Sequence, residues 1–133
     1  MVIMSEASDD SRAWPTSELA EIERSEELVL VVARTGRETL RVPVWPVTVD
    51  GEVYVRSYKG VTSLWFRRVE ADKHQAIALL GGDIPVEFEN VDRSDHVNRA
   101  ISSAYDRKYA SYDYRSAMSE PAAIEATLRV LPE

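Results

Sequence analysis

Val53-Tyr54-Val55-Arg56-Ser57-Tyr58-Lys59-Gly60-Val61-Thr62-Ser63-Leu64-Trp65-Phe66-Arg67-Arg68 reads as a strand, a short polar loop and a helix. Val53 and Val55 alternate with Tyr54 and Arg56, so the two pairs face opposite sides of a sheet. Ser57 to Ser63 then places hydroxyls, a lysine and a glycine where the following helix begins. Helix N-termini present free amides and a partial positive charge, so this loop suits an anion, most often a phosphate. A solvated connection with a surface lysine explains the same residues, and residue types alone do not choose between the two.

The preceding residues read as hairpins. Leu28-Val29-Leu30-Val31-Val32 is a short apolar, β-branched run and predicts a buried strand over 27–34. Thr35-Gly36-Arg37 turns the chain into a second strand over 38–49. There Leu40, Val42 and Val44 oppose Arg41, Pro43 and Trp45, while Pro43 and Pro46 cannot donate to a ladder and place the strand at an edge or bulge. Asp50-Gly51 is a two-residue hairpin signal leading into the third strand, 52–57. Upstream, Trp14-Pro15-Thr16 sets up a helix with Thr16 as N-cap and Leu19 and Ile22 on its apolar face, packed across one end of the sheet. Residues 1–13 are polar and acidic and are expected to form a tail, leaving 14–133 as a single domain.

Downstream, Ser63 caps a short helix to about Val69. Residues 74–80 read as a strand, although Ala76, Ala78 and the leucines also tolerate helix. Ile84, Val86 and Phe88 alternate with Pro85, Glu87 and Glu89 in a half-buried strand. Asp92, with Asp95 behind it, caps an amphipathic helix carrying Val97, Ile101 and Tyr105 on one face. Tyr109, Tyr112 and Tyr114 crowd its end, and a last strand is expected from Ile124 through Ala126 and Leu128 to Val130. Six strands and three or four helices make a small, mainly β barrel with appended helices.

Composition narrows the function. Sixteen Lys and Arg against 23 Asp and Glu leave a net charge of −7, which disfavours nucleic acid and anionic membranes as partners. The absence of cysteine removes disulfides, thiolate catalysis and thiolate-bound metals, and is compatible with a cytoplasmic protein. No apolar run approaches a membrane span, and no basic-then-apolar leader is legible. His74 and His96 stand in no ligand spacing, so no metal is expected. Catalytic side chains are scarce and a binding site remains. Lys59 with Arg67 or Arg68 offers charge, and Ser57, Thr62, Ser63 and the Gly60 and Val61 amides offer donors. Arg41 and Trp45 face a common side where a flat heterocycle could stack, and Tyr105, Tyr109 and Tyr112 either line a pocket or form core or interface.

The series Gly36, Arg41-x-Pro43-Val44, Asp50-Gly51-x-Val53-Tyr54-Val55, Ser57-x-Lys59-Gly60 and Ser63-x-Trp65-Phe66 resembles the FMN-binding split-barrel superfamily. Within it, the chain is similar to the deazaflavin-dependent nitroreductase-like branch and to a related small bacterial family of unknown function. The resemblance runs from about Glu27 to Glu133 and lies in the order of several short motifs. It implies a six-stranded split β-barrel of the flavin-reductase and pyridoxamine-phosphate-oxidase type, commonly homodimeric, holding FMN or a deazaflavin coenzyme. The cofactor phosphate would fall to Ser57, Lys59, Gly60 and Ser63, and Tyr58, Trp65 and Arg67 are expected as further cofactor-binding residues. Arg41, Pro43 and Val44 would run along the ring system and Tyr109 and Tyr112 would border a substrate pocket, where the residues themselves add Trp45 and Tyr105 as candidates. Tyr58 splits the usual serine–lysine pair, and Val61-Thr62-Ser63 replaces a longer basic segment. The function implied is a flavin- or deazaflavin-dependent oxidoreductase. The alternatives are a barrel that binds a small molecule without turning it over, and a dimeric interaction domain.

Overall fold

The computed structural model describes residues 12–34 and 36–133; residues 1–11 of the expected tail and Thr35 of the first turn lie outside the described residues. So does the side chain of Tyr114. The elements are α1 (Thr16–Arg24), β1 (Leu28–Arg34), β2 (Arg37–Val44), β3 (Pro46–Val49), β4 (Glu52–Arg56), α2 (Leu64–Ala71), β5 (His74–Leu79), β6 (Gly82–Asn90), α3 (Val97–Lys108), α4 (Pro121–Glu125) and β7 (Thr127–Pro132). Short 3-10 segments cover Gly60–Thr62 and Asp113–Ser119.

The strands form one antiparallel sheet in the order β2-β1-β5-β6-β7-β4-β3. Its two edges, β2 and β3, are consecutive in the chain and separated only by Trp45. Laid flat, seven strands would hold those edges about 29 Å apart. Two virtual bonds across Trp45 span at most about 7 Å. The sheet therefore has to curl until its edges meet at Trp45, while the far ends of β2 and β3 diverge. The result is a curled half-barrel, closed at one corner.

Among the described residues the strand count is seven rather than the expected six, because the proline-marked second strand changes partner in its middle. Arg37–Val44 pairs with β1, and Pro46–Val49 pairs with β4. The last strand also starts later than expected. Pro121 sits in the first turn of α4, where its fixed φ and missing N–H are tolerated, so Ile124 is helical and β7 begins at Thr127. Thr16 is the first helical residue of α1 rather than its cap. Asp92 is not the cap of α3: His96 holds the N-cap position without a side-chain bond, Asp95 just before it accepts the Val97 amide at 3.0 Å, and Asp92 braces the earlier turn through Ser94.

Two apolar clusters result. Inside the curl lie Leu30, Val32, Val53, Val55, Ile77, Val86, Phe88, Leu128 and Val130, with Trp65, Phe66 and Val69 from α2 and Ile22 from α1. Trp14 joins them and donates its indole N–H to the Val130 carbonyl at 2.9 Å. The second cluster packs α3 against the outer face of β3 and β4 through Val47, Tyr54, Ile101, Ala104, Tyr105 and Tyr109.

Candidate functional site: a cavity at the closed corner

A cavity of about 830 Å³ opens where β2 ends, β4 ends and α2 begins. One wall is apolar: Leu40, Val42, Pro43 and Val44 along β2, then Trp45, with Trp65 and Leu64 from α2. A second wall is polar and comes from the loop after β4, through Ser57, Tyr58, Lys59 and Ser63. Glu27 and Met118 complete the lining.

The polar wall is built by local hydrogen bonding. The Ser57 amide donates to the Ala126 carbonyl at 3.2 Å, tying the loop to the α4–β7 junction. The Gly60 amide donates to Ser57 O at 2.9 Å, closing a tight turn. The Ser57 and Ser63 hydroxyls bond each other at 2.8 Å, so Ser63 occupies the N-cap position of α2 without capping it with its side chain. The first amides of α2 thus lack a side-chain cap beside the cavity, as an anion site requires. Lys59 lies beside the exposed ring of Tyr58, its Nζ 5.8 Å from the ring centroid.

Beneath this wall sits Arg56, which is 1% exposed. Its five N–H donors are taken by Thr127 Oγ1 at 2.9 Å, Ser102 Oγ at 2.9 Å, Met118 O at 2.8 Å, and Asn98 O and Oδ1 at 3.2 and 3.0 Å. Every acceptor is neutral. Burial pushes the Arg56 pKa down from its usual value, yet an arginine keeps its proton. No carboxylate pairs with it among the described residues, so Arg56 brings an unpaired positive charge to the cavity lining, where Glu27 is the acidic residue. Arg56 supplies field rather than hydrogen bonds.

The cavity brings together eight of the fourteen expected site residues: Pro43, Val44, Trp45, Ser57, Tyr58, Lys59, Ser63 and Trp65. Six lie elsewhere. Arg41 is exposed and paired with Asp83 at 3.2 Å, away from the corner. Gly60 (φ +81°) is buried against α4, where an added Cβ would stand 3.3 Å from that of Ala122. Arg67 is on the exposed side of α2 and does not line the cavity. Tyr105 and Tyr109 are 0% and 1% exposed and belong to the core behind Trp45, so they are not pocket walls. Tyr112 packs at their edge and donates to the Glu26 carboxylate.

Arg56, Glu27, Leu40, Val42, Leu64 and Met118 were not anticipated. Leu40 and Val42 were legible as the neighbours of Val44 on one strand face. Arg56 carried no such signal, because an arginine in an alternating strand looks solvent-facing until a helix covers it. Among the described residues, no cluster of three or more His, Asp or Glu side chains could hold a metal, and no helix is long and apolar enough to cross a membrane.

The described residues thus form a mainly β, curled half-barrel closed at one corner, with a cavity there that is apolar on one side and polar on the other. Residues 18–130 match a family described as an uncharacterized protein conserved in bacteria (DUF2255), and the chain belongs to that family. No curated protein matches it. Solved structures share the fold at 16% identity. A protein from Mesorhizobium loti described as FAD-binding superposes with a TM-score of 0.60 over 90% of each chain. A conserved hypothetical protein from Mycobacterium tuberculosis gives 0.61 over 92% of this chain and 81% of its own. A protein of unknown function from Agrobacterium tumefaciens gives 0.60 over 88% of this chain, which spans about half (54%) of that longer chain.

Proposed function

We propose that the corner cavity binds a flavin or deazaflavin and that the protein is an oxidoreductase. The observation that carries the reading is the cavity's division into a flat apolar wall and a cationic, hydroxyl-bearing end. Its volume of about 830 Å³ lies within the range of roughly 300–1,000 Å³ usual for cofactor sites. Pro43, Val44, Trp45 and Trp65 offer surfaces for a planar ring, and Ser57, Ser63, Lys59 and the α2 amides suit a phosphate. The shared fold of the FAD-binding M. loti protein supports the reading.

Each residue then has a task of its own. Lys59 neutralises the phosphate from the solvent side, while Arg56 holds the opposing charge beneath it. The Ser57–Ser63 pair shares one hydrogen bond and keeps a second hydroxyl proton for an incoming oxygen. The apolar wall excludes water from one side of the ring. A bound flavin or deazaflavin supplies the hydride chemistry, and the chain supplies position and field.

The test is titration of the purified protein with FMN, FAD and a deazaflavin coenzyme, followed by Lys59→Ala. The variant should weaken binding by about tenfold or more, the worth of one charge-assisted hydrogen bond. Lack of binding to all three ligands removes the reading. Binding without reoxidation by any acceptor moves the protein to the non-catalytic alternative. On the same reading the protein is cytoplasmic and homodimeric; sedimentation equilibrium tests the second point. The buried Tyr105 and Tyr109 are not available as a dimer surface, whereas Tyr58, Val61 and Leu64 are exposed beside the cavity.

A further inference from the structure

The tyrosine-bearing end of α3 converges on a single spot. The Tyr105 hydroxyl donates to the Trp45 carbonyl at 2.7 Å. Lys108 Nζ donates to the Pro46 carbonyl at 2.9 Å and to Ile22 O at 3.3 Å. The Tyr109 hydroxyl lies 3.0 Å from Pro46 O and 2.9 Å from Glu26 O and shares its one proton between them. The Tyr109 ring stacks flat on the Trp45 indole, with centroids 4.1 Å apart and planes 2° apart, and Tyr112 meets the same indole edge-on at 5.0 Å. Only Trp45 of this group lines the cavity.

These contacts exceed what packing alone asks for. Trp45 lies between β2 and β3 and belongs to neither ladder, and Pro46 opens the edge strand β3, which has a partner on one side only, so both carbonyls are open to donors from outside the sheet. Three donors from one helical turn satisfy them, and the same turn supplies the ring beneath the indole. We propose that Tyr105, Lys108 and Tyr109 are positioning residues: they clasp the Trp45–Pro46 corner and set the angle at which the Trp45 indole borders the cavity. The clasp thereby fixes the gap open to a planar ligand, a consequence that rests on the ring-binding reading above.

The test is fluorine NMR of protein labelled with 5-fluorotryptophan. Its three resonances, from Trp14, Trp45 and Trp65, are assigned by single Trp→Phe substitutions. Tyr105→Phe and Lys108→Met should shift or split the Trp45 line and leave the other two in place. In parallel, FMN affinity should fall about three- to tenfold in each variant, the worth of one hydrogen bond, and fall no further once Trp45→Leu is present. An unmoved Trp45 line in both folded variants, or an affinity loss that persists in the Trp45→Leu background, overturns the proposal. If either variant fails to fold, Tyr109→Phe removes a hydroxyl and keeps the stack, giving the same readout. If wild-type protein does not bind FMN, the ring-binding reading falls while the fluorine spectrum still decides the clasp.

Discussion

Leu80 shows how one residue can work against its own turn. It sits at the tip of the β5–β6 hairpin with φ 52°, is 61% exposed, and is followed by Gly81 at φ 87°. Two successive positive φ values are the pattern of a type I′ hairpin, which prefers Asn-Gly. Leucine pays the left-handed penalty there and buries little in return. Leu80→Asn should therefore stabilise the protein by about 0.5–1 kcal/mol, measured as a shift in the urea midpoint at constant m-value. No gain, or a loss, would mean that the leucine side chain has a contact that outweighs the strain. Arg56 teaches the opposite lesson about legibility. Tyr54 and Arg56 were correctly expected on one strand face, opposite Val53 and Val55. What the alternation cannot carry is whether that face meets water or α3. The burial of Arg56, and its membership of the cavity, follow from a helix more than 40 residues further on.

At the scale of elements, the unexpected division of the second strand has a physical reason. Leu40, Val42 and Val44 face the inside of the curl; Trp45, Val47 and Val49 face α3. The alternation therefore runs through Pro46 without a change of parity. A period-two pattern says which side a residue faces but not which strand lies beside it. The change from β1 to β4 as partner thus leaves no mark in the sequence beyond the two prolines. The short α4 was missed similarly, because five residues are too few for a helical period to declare itself. Packing of α3 also sets a pH dependence. Burial lowers the Lys108 pKa from 10.5 to about 8, with Glu23 pulling against the shift. Between those values the unfolded chain binds the extra proton, so stability should rise with pH from about 8 upward. Tyr105 and Tyr109 are raised above their usual 10.0 by burial, and their contribution is lost as the pH climbs beyond that value. Melting temperature should thus climb from pH 8 and turn over near pH 10. Lys108→Met should abolish the climb and keep the fall, and a climb of undiminished height in that variant would assign it to another group. His74, raised by its bond to Glu133, acts with the opposite sign at lower pH, its contribution being lost as the pH rises through its folded value.

At the scale of the molecule, the barrel-like architecture was legible and the place where it closes, at Trp45, was not. Apolar alternation and turn residues marked strands at nearly every observed position, and the resemblance to split barrels anticipated the curl. The cavity then assembled the apolar half of the expected site and most of the loop, because both belong to chain segments that meet at the corner. It left out Arg41 and Arg67, whose side chains leave their elements on the solvent side. Charged residues in amphipathic elements are the ones whose facing a sequence specifies least, since water accepts them on any free side.

The single residue that separates the two sheet edges bears on how quickly the fold is made and lost. The β1–β2, β3–β4 and β5–β6 pairings are local in sequence and can form early. β2 and β3 are joined through Trp45 from the start, but the α3 donors come to that corner from 60 and 62 residues further along the chain, so the clasp is expected among the last contacts made. Tyr105→Phe and Lys108→Met should accordingly speed unfolding and leave the refolding rate nearly unchanged, a pattern that stopped-flow chevrons would reveal. A refolding arm slowed in proportion to the stability lost would place the clasp in the nucleus instead. With a late clasp, these few bonds govern the lifetime of the native state more than the speed of reaching it.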